Sequence, residues 1–184
     1  MSWGLFPEPK RQGLVISVLG REEADRLRAL RRLSLRFGTA AMISRPLAFG
    51  ASGYYNKEMG SPLFRRLVLF SKTAPPRKLA VIKKICMSLE RDLAQGGRRR
   101  VNLDPGLLGA GSLILATTKY MEHRICLESG LFADITLWFH HGRFHPLPWT
   151  YPDYAGDELR ELLAMFRIRY LWQLKQDESL GGLS

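Results

Sequence analysis

The order of periodic segments over the first hundred residues constrains this 184-residue chain most. Leu14 to Leu19 (LVISVL) is a short apolar run rich in β-branched residues, which reads as a buried strand. Glu22, Glu23 and Asp25 then open a helix, where acids suit the positive end of the helix dipole. Its apolar stripe is Leu27, Leu30, Leu33 and Phe37, and Gly38 is its expected stop. Ala40 to Phe49 reads as a second strand edged or interrupted at Pro46, and Leu63 to Phe70 as a third. Pro75-Pro76 launches a second helix with the stripe Leu79, Ile82, Ile85/Cys86, Leu89 and Leu93. Arg77, Lys78, Lys83, Lys84 and Arg91 project elsewhere from it, and Arg98 to Leu103 reads as a fourth strand. Strand-helix-strand-strand-helix-strand is the split βαβ order of a ferredoxin-like sandwich.

After Asp104 the pattern changes from alternating types to a run of strands. Ser112 to Thr118, His123 to Glu128, Leu131 to Phe139 and Arg143 to Leu147 form an antiparallel meander. Ser129-Gly130 and His140-His141-Gly142 are its hairpin joints. The first of these segments has a helical alternative, which Gly109 and Gly111 weaken. A closing helix starts near Gly156 with the stripe Leu159, Leu162/Leu163, Phe166, Tyr170 and Leu174. The expectation is one α+β domain. It has an irregular arm (1–13), a ferredoxin-like half (14–104), a meander with an aromatic strap (105–154), a C-terminal helix (155–176) and a fraying tail from Asp177 (177–184).

Charge is divided unevenly along this frame. Residues 1–100 hold 21 basic and 7 acidic side chains, a balance of +14, and residues 101–184 hold 7 and 10, a balance of −3. An electropositive face built from the first half points to a polyanionic partner. A composition drawn from a GC-rich genome would also raise arginine. Cys86 and Cys126 form no CxxC pair, which suits a reducing cytoplasm. The start MSWGLFPEPK lacks the basic-then-apolar form of a secretion signal, and no apolar run reaches the roughly 18 residues of a membrane span. The chain has no GxxxxGK[ST], GxGxxG or GxSxG motif, which argues against a P-loop NTPase, a dinucleotide fold and an α/β-hydrolase.

Four clusters carry chemistry. Arg98-Arg99-Arg100 leads into Asn102 and then Asp104-Pro105-Gly106, which reads as a turn at a strand end. A carboxylate there can act as a base, with Asn102 on the same strand face. Thr117, Thr118, Lys119, His123 and Arg124 place hydroxyls, an ammonium, an imidazole and a guanidinium within eight residues. His140, His141, Arg143 and His145 sit at a hairpin tip in no metal-ligand spacing, so no metal is assigned. Trp149, Tyr151, Asp153 and Tyr154 surround Pro152 and suit a packed strap or, with Tyr54 and Tyr55, a stacking wall.

These blocks together resemble a known family. Tyr54 to Leu63 (YYNKEMGSPL) with Arg65-Arg66, Arg99 to Gly106 (RVNLDPG after Arg99), Leu115 to Lys119 (LATTK) with His123-Arg124-Ile125, and Trp149 to Tyr154 (WTYPDY) look like the bacterial "domain of unknown function 4416" family. The resemblance spans Leu14 to the last helix and implies a single-domain bacterial protein. It carries over no established activity, and it leaves any cofactor unassigned.

The residues themselves point to binding of a phosphate-bearing ligand, nucleotide or RNA, by a cytoplasmic protein. The ligand contacts expected are Tyr54, Tyr55, Arg65, Arg66, Arg99, Arg100, Asn102, Thr117, Thr118, Lys119, Arg124, Trp149, Tyr151, Asp153 and Tyr154. One alternative is an enzyme acting on a phosphorylated small molecule, with Asp104 and His123 as acid and base and Lys119 and Arg124 as anion clamps. Another is a protein-interaction module without a ligand. If the blocks serve one site, Tyr55, Arg66, Asn102, Asp104, Lys119, His123 and Asp153 line a common cleft.

Overall fold

A computed structural model describes residues 9–50 and 55–181. Its elements are β1 (Gln12–Gly20), α1 (Glu23–Phe37), β2 (Ala40–Ile43), β3 (Leu47–Phe49), α2 (Asn56–Met59), β4 (Leu63–Ala74), α3 (Leu79–Asp92), β5 (Val101–Leu108), β6 (Ser112–Thr117), β7 (Ile125–Glu128), β8 (Leu131–His140), β9 (Arg143–Pro146), α4 (Pro152–Ala155) and α5 (Asp157–Gly181). The class is α+β, with all strand pairings antiparallel in one nine-stranded sheet. The main order is β2-β4-β1-β5-β6-β8-β7, with β3 beside β4 and β9 beside β8.

Strand β1 lies between β4 and β5, and helices cover both faces of the sheet there. Leu14, Ile16 and Val18 pack with Ala29, Leu30 and Leu33 of α1 and with Leu79, Ile82, Cys86 and Leu89 of α3. Val15 faces the other way, into a second core with Leu159, Leu163, Phe166 and Tyr170 of α5. Burial on both faces explains why β1 reads as a continuous apolar run rather than an alternating one. No described helix is long and apolar enough to cross a membrane.

Several boundaries move. Pro46 divides the expected second strand into β2 and β3, both paired with β4. The closing helix continues past Asp177 to Gly181. The Asp104-Pro105-Gly106 run is not a turn. It lies within β5, opposite Ser17, Ile16 and Val15 of β1, and Arg98–Arg100 precede the strand. Proline is tolerated because β6 pairs with β5 only from Gly106 to Leu108, so at Pro105 the strand has one strand partner rather than two. Gly106 is required by closeness: a Cβ there would stand 2.7 Å from Leu115 Cδ2 and 3.0 Å from the Ile114 carbonyl oxygen.

Candidate functional site

The early end of the β5–β6 pairing opens the sheet. Beyond it, the first half of β5 and the last residues of β6 diverge, and a cleft of about 220 Å³ fills the gap. Asn102 and Asp104 come from β5, Leu115 to Lys119 from β6 and its exit, and Lys83, Met87 and Glu90 from α3. Tyr151 to Tyr154 close one side, and Phe49, Tyr55 and Arg65 another. Phe49 and Tyr55 meet edge to face at 6.1 Å and pack against a small cluster of Leu19, Met59 and Leu63.

Charged groups in this cleft are tightly paired. Lys83 Nζ donates to Asp104 Oδ1 at 2.9 Å and to the Leu103 carbonyl at 3.0 Å. Asn102 Nδ2 donates to the other Asp104 oxygen at 2.5 Å, while Asn102 Oδ1 accepts from Arg99 at 2.9 Å. Glu90 accepts the Leu103 backbone N–H at 2.6 Å. Arg99 also lies 3.2 Å from Glu58. Arg65 pairs with Asp153 and lies between the rings of Phe49 and Tyr154, 5.0 and 4.9 Å from their centroids. Its Nε is buried without a hydrogen-bond partner.

The titration of these groups follows from their surroundings. Burial pushes the Asp104 carboxyl up, but Lys83, Arg65 and the Asn102 amide outweigh it and hold it below its ordinary value. Burial works against the Lys83 charge, yet Asp104 and Glu90 raise its pKa. Glu90 goes the other way: desolvation raises it more than Lys83, Leu103 N–H and Arg99 lower it. Asp104 is therefore a fixed anion, and Glu90 is the cleft carboxyl that holds its proton more readily. Burial also pushes the Tyr154 hydroxyl up.

Behind the wall, Arg124 ties three segments together. It donates to Asp134 Oδ2 at 2.8 Å, to the Lys119 carbonyl at 2.7 Å and to the Tyr151 hydroxyl at 2.7 Å. It thereby fixes the strap against the exit of β6. His123 stacks on Trp149 at 4.7 Å, with Nε2 3.6 Å from Asp134 Oδ2.

Of the residues expected from the sequence, Tyr55, Arg65, Arg99, Asn102, Asp104, Thr117, Thr118, Lys119, Tyr151, Asp153 and Tyr154 line this one cleft. Arg66 does not; it donates to Glu23 and to the Ser44 carbonyl. Arg100 bonds Asp25 at 2.8 Å. His123, Arg124 and Trp149 stand outside the lining, so the pairing of Asp104 with His123 across one cleft is not formed. The reason is strand alternation and the β6–β7 connection, which carries His123 and Arg124 toward β8. Tyr54 lies outside the described residues.

Lys83, Met87 and Glu90 escaped sequence reasoning. Lys83 is buried rather than surface-facing. Their spacing of four and then three residues puts all three on one flank of the α3 stripe, a signal present in the sequence. Among the described residues, no three His, Cys, Asp or Glu side chains are arranged to hold a metal ion.

A family model described as "Domain of unknown function (DUF4416)" matches residues 10–170. No curated protein and no solved structure matches the chain.

Proposed function

Because the chain belongs to the family described as Domain of unknown function (DUF4416), a description that assigns no activity, we propose its function from the cleft alone. On this reading it binds a small phosphate-bearing ligand with a planar ring, of mononucleotide size or less. The observation that carries it is the convergence of Arg65, Lys83, Arg99 and Lys119 with the rings of Phe49, Tyr55, Tyr151 and Tyr154. Cations supply charge-assisted bonds to an anion, and aromatic walls supply stacking. The fixed carboxylates hold the cation heads in place before any ligand arrives. Arg65 keeps a buried Nε–H without an acceptor, which favours a ligand acceptor beside it.

Size favours a mononucleotide over RNA. A cleft of about 220 Å³ is below the roughly 300–1,000 Å³ of most drug-sized ligand sites, and a nucleic-acid strand needs an open groove. Much of the basic first half is also paired locally, as in Arg66 with Glu23, Arg100 with Asp25, Arg45 with Glu158 and Lys84 with Glu128. The enzymatic reading with Asp104 and His123 is weaker still, since Asp104 is a bonded anion and His123 is elsewhere. We read residues 14–104 as a ferredoxin-like unit. The antiparallel order β2-β4-β1-β5, with α1 and α3 on one face, supports this.

The experiment is native mass spectrometry of freshly purified protein, followed by calorimetric titration with nucleoside monophosphates and inorganic phosphate. A monophosphate should bind more tightly than phosphate alone, and Arg99→Ala should weaken it about tenfold or more. No co-purifying ligand together with no binding of any monophosphate or phosphate would overturn the reading. RNA binding unaffected by Arg99→Ala would move the function to the surface.

A further inference from the structure

Helix α5 is apolar on two opposite sides. One side, with Leu159, Leu163, Phe166 and Tyr170, is buried against the sheet. On the other, Met165 is 52%, Ile168 68% and Trp172 51% exposed. At 100° per residue these three, together with the exposed Glu161 and Lys175, fall within an arc of about 80°. The spacing 161-165-168-172-175 alternates four and three residues, the period that keeps a seam facing a partner helix.

We propose that this stripe is a self-complementary interface, through which two copies of the chain pair by antiparallel packing of α5 about a two-fold axis at Ile168. The charges select both the occupant and the direction. Glu161 and Lys175 each stand seven residues from Ile168, on opposite sides. Antiparallel packing therefore sets Glu161 of each copy against Lys175 of the other, twice by symmetry. Parallel packing would oppose like charges instead. In the same register Ala164 stands opposite the second copy's Trp172, and Met165, one residue along, lies about 1.5 Å further on the axis, within reach of that ring for a sulfur–aromatic contact. Half-buried Ala164, four residues before Ile168, leaves room beside that ring. In the single chain the Trp172 face is partly covered by its own Arg169 guanidinium, 4.2 Å from the ring centroid.

The test is sedimentation equilibrium from micromolar to near-millimolar protein. The wild-type chain should approach twice its 21.0 kDa mass as concentration rises. Ile168→Glu should remain monomeric throughout, with an unchanged circular dichroism spectrum because the position is exposed. Glu161→Lys and Lys175→Glu should each weaken association about tenfold, and their combination should restore it. A monomer at every concentration would overturn the proposal. So would a dimer that survives Ile168→Glu, or a combined variant no stronger than the single ones.

Discussion

Replacing Lys83 by methionine tests the electrostatic floor of the cleft directly. Methionine keeps an apolar stem that reaches Cε and removes the ammonium group with its charge and donors. The Lys83 side chain is 6% exposed and its Asp104 partner 28% exposed. Deleting one member of a buried ion pair costs about 3–5 kcal/mol, because the other charge stays desolvated and alone. Asp104 keeps some contact with water and its Asn102 bond, which places the loss near about 3 kcal/mol. For a domain of this size that lowers the thermal midpoint by about 6–12 °C. The pH dependence has a definite sign. Asp104 has a depressed folded pKa, so in the wild type its stabilisation is present above the ordinary 3.8 and lost as pH falls through the folded value. Without Lys83 the largest cause of that depression goes, leaving Arg65 and the Asn102 amide, and the less compensated carboxylates Asp104 and Glu90 are relieved by protonation. The variant's deficit should thus be largest at neutral pH and shrink in mild acid. The assay is urea unfolding at neutral and mildly acidic pH, with Asp104→Asn and the double variant completing a cycle. The double variant should lose less than the sum of the singles, with a coupling of about 1–3 kcal/mol. A Lys83→Met chain as stable as wild type at neutral pH, or a deficit that grows in acid, would refute the argument.

Three further outcomes follow from the same geometry. Glu90 has a raised folded pKa, so its contribution is full below the ordinary 4.5 and is lost as pH rises through the folded value. Glu90→Gln, which keeps an acceptor for Leu103 N–H, should flatten that fall in urea melts taken from mildly acid to neutral pH, and a steeper fall would count against it. Gly106→Ala should cost about 1–3 kcal/mol in thermal unfolding, since its Cβ would meet Leu115 Cδ2 at 2.7 Å and the Ile114 carbonyl at 3.0 Å. Reversing the exposed Arg31, Arg32 and Arg36 of α1 to glutamate should leave monophosphate titrations unchanged, because none of the three lines the cleft. A large loss of affinity would return the function to the basic surface.

Local chemistry made most elements legible in the sequence. β-Branched runs, acid-opened and glycine-closed helices and glycine hairpins depend on neighbours within a few residues, so Leu14 to Leu19, the α1 stripe and the His141-Gly142 turn could be read without a fold. The positive φ of both turn residues, 45° and 80°, is the backbone form that such a joint requires. Eleven of the cleft residues were also visible as members of polar and aromatic blocks. Asp104-Pro105-Gly106 misled, because the same three residues suit a turn and a stretch of strand whose second partner begins only at Gly106. Pairing with β1 and the premature end of the β5–β6 ladder decide between them. That ending also decides where the cleft lies, and it depends on pairings between segments far apart in sequence. The same holds for charge. A lysine at position 83 has one formal charge wherever it stands, but burial beside Asp104 and Glu90 turns it from a surface cation into the floor of a site. Sequence determines which groups are present and their local periodicity, whereas desolvation and long-range pairing, which set their energies, exist only in the folded chain.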